Sequence, residues 1–273
     1  MRNYLCVFIF LLSCSTYGQS KIERSKNELK SSNHSSKQSS NDNESSSSSQ
    51  NSDSYFSSEN DEFWFFWVPK IVYFSFIGDH VREPHLKYKL TDYPYYNGQS
   101  GNYVDSDYSK YFRFDIEDNL LFNSNSSYGN HLKVKIRPFQ YFYLQSDLHH
   151  LFEENKFENT TEQLSVYFFN LGYDRIRMEK FNFGWTMGAS YIGNEVNKAG
   201  FSFGLNTELF FIKNISLSAS AKWSVINGYS VDLYDFQARY HKNRFYGSMG
   251  FEHLQIGTPN YDFISVGGGI YLN

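Results

Sequence analysis

Hydrophobic and polar residues alternate one by one along most of the chain after residue 110. In residues 200–211, Phe201, Phe203, Leu205, Thr207, Leu209 and Phe211 fall on one face of an extended strand. Gly200, Ser202, Gly204, Asn206, Glu208 and Phe210 fall on the other. A period of two is the signature of a strand whose two faces meet different surroundings. The pattern recurs in residues 111–122, where Phe112, Phe114, Ile116, Leu120 and Phe122 oppose Arg113, Asp115, Glu117 and Asn119. Leu132, Val134 and Ile136 oppose His131, Lys133, Lys135 and Arg137. Residues 181–191 and 215–225 repeat it, as does the last strand, where Ile264, Val266, Gly268, Ile270 and Leu272 share a face. Residues 140–152, 163–176, 230–241 and 244–256 alternate less cleanly and are also read as strands. The pattern predicts about ten strands, within a range of eight to twelve.

These segments run to roughly ten to fourteen residues, whereas strands of globular domains are commonly about 5–6 long. Their polar faces carry glycine, serine and charges of both signs. An apolar face that long fits a tilted strand crossing a bilayer, which needs about 9–11 residues, with the polar face lining an enclosed interior. The connections are read as alternating in length. Residues 123–130, 153–161 and 193–199 are expected to be long, and Pro138, residues 178–180, Lys213-Asn214 and Lys242-Asn243 to be tight. Asn227-Gly228 and residues 257–260 break that rule by being short. The fold class expected is all-β, an antiparallel up-and-down transmembrane barrel behind a disordered segment.

Four regions follow along the chain. Residues 1–18 read as an export signal: Arg2, an apolar run from Tyr4 to Leu12, then small Thr16 and Gly18 before a cut. Leu11-Leu12-Ser13-Cys14 also resembles the box before a lipidated cysteine, so lipidation at Cys14 stays open beside cleavage after Gly18. Residues 19–60 are polar, with fifteen serines among residues 31–60, and are expected to be a disordered linker. Residues 61–108 form an aromatic and turn-rich stretch ahead of the barrel, which is placed at 109–273. Within that stretch, residues 62–76 carry Trp64, Trp67 and five Phe, and suit either an interfacial anchor or a segment packed on the barrel. Residues 91–105, with Pro94, Asn97-Gly98 and Gly101, read as a loop packed by its tyrosines.

Composition sharpens this picture. Aromatic residues make up 20% of the chain, with 27 Phe and 23 Tyr. A mean hydropathy of −0.55 is compatible with a barrel, which turns only every second residue outward. Both cysteines, Cys6 and Cys14, lie in the signal, so no disulfide holds the mature chain. A net charge of −4 gives no nucleic-acid footprint. No later run of about twenty apolar residues could cross a bilayer as a helix.

The signal, the strand pattern and the chain ending together resemble small outer-membrane β-barrels of Gram-negative bacteria. Their closing strand often reads Gly-x-x-apolar-x-apolar, and Gly267, Ile270 and Leu272 match it. That pattern usually ends on an aromatic residue, where this chain has Tyr271-Leu272-Asn273. The resemblance implies an outer-membrane location, with outer-membrane lipids and the barrel assembly machinery as partners. It names no external ligand.

Chemistry is sparse. Asp147 and His149 are two apart, so their side chains share a face, close before Glu153 and Glu154. Such a pair activates water or holds a metal. No nucleophilic serine stands at a recognisable spacing, and HExxH, CxxC and phosphate-binding glycine loops are absent. The sequence assigns no catalytic, cofactor or metal residue. Arg113, Asp115, Glu117, Lys133, Lys135, Arg137, Glu208, Lys222, Asp235, Arg239 and Glu252 fall on inward faces, where opposite charges would pair and plug a narrow lumen. The expected role is structural or surface-binding. A barrel-embedded hydrolase acting on outer-membrane lipid or surface peptide, and a soluble exported barrel, are the alternatives.

Overall fold

A computed structural model describes residues 20–31, 69–106, 112–123, 127–155 and 160–273. Ten long strands form one closed antiparallel barrel: β3 (Arg113–Phe122), β4 (Ser127–Arg137), β5 (Phe142–Asn155), β6 (Thr160–Arg177), β7 (Phe181–Ile192), β8 (Lys198–Ile212), β9 (Ile215–Ile226), β10 (Tyr229–Lys242), β11 (Phe245–Ile256) and β12 (Asn260–Leu272). Each pairs with its neighbours in sequence, and β12 closes the ring on β3, with Ile270 opposite Ile116 and Leu272 opposite Phe114. Closure leaves no strand edge unpaired. Two short strands, β1 (Lys89–Leu90) and β2 (Tyr103–Val104), pair outside the barrel.

The faces follow the alternation. Arg113, Glu117, Asn119, His131, Lys133 and Arg137 are buried inside, while Leu120, Phe122, Leu144, Phe201, Phe236, Met249, Phe251 and Ile264 are exposed on the outer wall. The turns are as tight as their residues allow. Asn214, Asn227 and Asn243 all take positive φ, the left-handed region that asparagine tolerates. Gly228 (φ +84°) follows Asn227, and two consecutive positive φ values match the right-handed twist of the strands they join.

The connections differ from the sequence expectation. β5 runs on to Asn155 and β6 starts at Thr160, with Glu153 opposite Glu162 and Asn155 opposite Thr160. The link expected at 153–161 therefore shrinks to 156–159. Likewise β4 begins at Ser127 and β8 at Lys198, which shortens the links expected at 123–130 and 193–199. Ladder pairing continues through these segments although their side chains do not alternate cleanly between polar and apolar. The contrast between long and short connections is correspondingly weak.

Part of the expected disordered linker is also ordered. Residues 21–30 form a helix, α1 (Lys21–Lys30). The rest of the polar tract, residues 32–60, lies outside the described residues, as do the proposed signal and Trp64 and Trp67. The Ser20 side chain accepts from the Glu23 amide at 3.0 Å, capping the first turn. Ile22, Ser25, Lys26 and Leu29 share one buried face. A helix of this length is marginal alone, so its docking stabilises it.

Residues 69–76 are also helical. They lie on the outer wall near the rim where the barrel starts and ends. Trp185 Nε1 donates to Phe76 O at 2.9 Å, the Tyr173 hydroxyl to Ile77 O at 2.9 Å, and Arg175 pairs with Glu83 at 2.7 Å. Ile71, Val72, Tyr73, Phe74 and Phe76 stay exposed. The segment packs on the barrel and at the same time turns an apolar surface outward.

Candidate functional site

The interior is built in layers, because each strand places every second side chain inside. Toward the rim that holds the barrel's two termini, the lining is charged. Arg113 pairs with Asp115 at 2.8 Å, Arg137 with Asp174 at 2.6 Å, Lys133 with Asp235 at 3.0 Å and Arg239 with Glu117 at 2.7 Å. Glu117 also accepts from the Tyr246 hydroxyl at 2.6 Å, Asn119 at 2.7 Å and Gln237 at 2.9 Å. A void of about 30 Å³ among these groups has room for about two waters.

Residues 84–106 cover this rim. Asn102 Nδ2 donates to Glu208 at 2.8 Å, Arg113 to Thr91 O at 3.3 Å, and the Tyr95 hydroxyl to Ile212 O at 2.9 Å. Arg177 donates to Leu86 O at 2.6 Å. Tyr103 is buried, takes a hydrogen bond from Arg137 at 3.1 Å and bonds to Asp174. Burial pushes the Tyr103 hydroxyl far above the ordinary tyrosine range, so it stays protonated. Gly101 sits where a side chain would run into Glu179 O and the Phe210 ring.

The opposite third of the lumen is apolar. Leu121, Leu151, Leu164, Val166, Phe168, Leu233, Leu254 and Phe263 line it, and Ile22 and Leu29 of α1 complete the cluster. Burying those two side chains is worth about 1.5–3 kcal/mol each. Polar groups fix the helix at its rim. Glu153 accepts from the Lys21 and Ile22 amides at 3.2 and 2.9 Å, a carboxylate placed at the helix N-terminus. Lys26 pairs with Glu162 at 2.8 Å and Lys30 with Glu195 at 2.7 Å. Ser25 donates to Ile256 O, Asn227 to Leu29 O, and Glu28 accepts from the Thr258 amide.

Burial works against the charge of Glu28, but hydrogen bonds from Thr258 and the Arg24 guanidinium more than offset it, so its carboxyl lies below the usual range. Lys30 and Lys26 lower that of Glu195 in the same direction. A depressed carboxyl contributes stability that is complete above its unfolded value and is lost as pH falls through the folded one. A spin label at Asn27→Cys on α1 is therefore expected to be immobile at neutral pH. It should gain mobility as pH drops below about 4.5, the ordinary value of these carboxyls.

Asp147 and His149, paired in the sequence analysis, lie between the charged and apolar layers, fully buried. The long loop expected to follow them at 153–161 is instead strand as far as Asn155. Asp147 is tied to Lys222 and accepts from Gln145 Nε2 at 2.9 Å. His149 stacks on His131 of the adjacent strand, ring centres 3.8 Å apart, and Glu252 reaches both histidines from β11. No serine is hydrogen-bonded to His149, so the acyl-transfer arrangement is not assembled there. Two serine–histidine pairs do exist among the described residues: Ser216 with His241 at 2.8 Å and Ser165 with His150 at 2.7 Å. His241 Nδ1 meets no carboxylate to orient the ring. Glu153 and Glu154 are not drawn into any chemical site; Glu153 serves α1.

No family model matches the chain, and no curated protein matches it in sequence. Among solved structures, an outer membrane channel from Pseudomonas putida F1 is similar, with 9% identity over 62% of this chain and 100% of that one, at a TM-score of 0.36.

Proposed function

We propose that this chain is an outer-membrane β-barrel of a Gram-negative bacterium, exported by its N-terminal signal. In this reading it is a closed, non-conducting anchor whose outer rim serves a structural or surface-binding role. The observation that carries the proposal is the outer wall. Large apolar side chains are exposed on every strand face that alternation turns outward, from Leu120 and Phe122 on β3 to Ile264, Val266 and Leu272 on β12. Monomeric soluble proteins rarely expose contiguous apolar patches beyond a few hundred Å². Hydrocarbon is the medium in which such a wall costs nothing. The exposed face of residues 69–76 would then lie in the headgroup layer beside the barrel. Outer-membrane lipids and the barrel assembly machinery are the partners this implies. Paired charges in the lumen, with residues 84–106 over one rim and α1 over the other, favour a plug over a pore. Short connections offer little surface for ligand capture, so binding at the outer rim would involve α1.

One observation favours the second reading, a soluble exported barrel. α1 fills the rim opposite the barrel's own termini, while residues 69–76, the next described stretch, pack at the terminal rim, so the chain connects opposite ends of the barrel. In a membrane that connection would meet hydrocarbon or the filled lumen; in water it would meet neither.

Cell fractionation combined with gel migration before and after heating tests the choice. The membrane reading expects the chain in the outer-membrane fraction, resistant to carbonate, with a compact band that shifts on boiling. A chain recovered in the soluble fraction without detergent contradicts it.

A further inference from the structure

We propose that His131, His149 and Glu252 form a binding site for a divalent transition-metal ion of the zinc class, with Asp147 orienting His131. The three side chains converge from β4, β5 and β11, and each offers one ligand atom, all within 4.8 Å of one another. Strand register sets the first contact, because His131 and His149 are direct cross-strand partners. Barrel closure supplies the third group, since β11 lies on the far side of β3 and β12. All three are fully buried, and so is Asp147.

The strongest indication is a close contact that lacks hydrogen-bond alignment. His149 Nε2 lies 2.8 Å from Glu252 Oε1 as an ion-pair contact, out of line for an N–H···O bond, and His149 Nδ1 has no partner. Buried nitrogen and oxygen atoms left without partners are costly. A cation shared between the two lone pairs would satisfy both. His131 completes the arrangement from the other carboxylate oxygen: its Nδ1 is 2.8 Å from Glu252 Oε2, while its Nε2 is 3.3 Å from Asp147 Oδ1. With Nδ1 turned to the metal, Nε2–H donates to Asp147, the carboxylate–histidine–metal relay that fixes the tautomer and orientation of a ligating imidazole. Asp147 is held in that role by Lys222 and Gln145, which occupy its remaining oxygen lone pairs.

Two imidazoles and one carboxylate select zinc-like ions over magnesium or calcium, which prefer all-oxygen shells. Donors bound at zinc distances stand about 3.4 Å apart in a tetrahedron. The cluster therefore needs side-chain shifts of about an ångström and no change in the strands. Three protein ligands leave a fourth position for water. The Phe168 ring, perpendicular to that of His149 with centres 6.3 Å apart, borders the cluster on its apolar side. The site sits beneath the apolar layer and α1, so the ion would enter during folding and exchange slowly afterwards. The inference goes beyond the proposed function and is independent of it, because the lumen is the same whether lipid or water surrounds the wall.

The test refolds the full mature chain from denaturant into detergent with zinc or cobalt, removes free ion, and measures retained metal. The expected result is about one equivalent, with cobalt giving the intense visible bands of a four-coordinate site. Glu252→Gln, which keeps the side-chain shape, and His149→Ala should lose the retained ion while still showing heat-modifiable migration. Asp147→Asn should bind about 10–100-fold more weakly, as expected of a positioning residue. Wild-type chain that retains no stoichiometric metal overturns the proposal, a result that needs no variant to fold. Retention unchanged in folded Glu252→Gln or His149→Ala also overturns it, since the ion would then sit elsewhere.

Discussion

Phe251→Arg is expected to leave most of the chain unable to reach its folded barrel. Phe251 stands midway along β11 on the outer face, paired with Phe236 of β10 and Ile264 of β12. These three are 48%, 52% and 61% exposed, so the surrounding medium meets much of each side chain. If hydrocarbon surrounds them, an arginine there costs about 2–4 kcal/mol. If water does, an exposed Phe→Arg change falls within about 0.5 kcal/mol. The folded fraction by heat-modifiable migration, and the urea midpoint of the refolded barrel, read that difference directly. A midpoint unchanged from wild type would argue for water.

Glu117→Ala carries the second large effect, and it probes the lumen and not the surroundings. The carboxylate of Glu117 receives Arg239, Tyr246, Asn119 and Gln237, and Lys133 stands 3.7 Å away. Removing it leaves the Arg239 guanidinium, itself buried, with Gln237, the face of the Tyr246 ring and a longer contact of 3.3 Å to Glu208. Breaking a buried pair from one side costs about 3–5 kcal/mol. Adding Arg239→Met should recover part of that loss, because the stranded charge goes with it. A double-variant loss equal to the sum of the two single losses, with Arg239→Met also measured alone, would mean that the pair is not energetically coupled.

The barrel was legible in the sequence because period-two alternation survives wherever the two faces meet different media. All ten segments read as strands are strands, and the inward charges are inward. Alternation faltered in residues 163–176, 230–241 and 244–256 for a reason visible in the structure. Leu164, Val166, Phe168, Leu233 and Leu254 point inward but are apolar, because α1 covers them. α1 itself was hidden by polar composition, although Ser20-x-x-Glu23 at its start, with Ile22 and Leu29 seven apart on one face, is a capping signal. The connections were misjudged because backbone pairing continues through segments whose side chains do not alternate cleanly between polar and apolar.

The buried cluster was half legible. Asp147 and His149 share a face by simple spacing, and His131 already appeared on an inward face. Their meeting with Glu252 depends on ring closure and on the stagger of strands around the barrel, which no local pattern encodes. Lys222, which neutralises Asp147, is likewise brought in from β9 across the lumen.

The medium around the outer wall decides most of this account. A nitroxide at Phe236→Cys, in chain lacking residues 1–18 and reconstituted into phosphatidylcholine vesicles, measures it most directly through collisions with oxygen and with a water-soluble nickel chelate. The account expects oxygen, which concentrates in hydrocarbon, to relax the label strongly while the chelate does not reach it. Free access of the nickel chelate, in a chain that stays monomeric without detergent, would contradict the account.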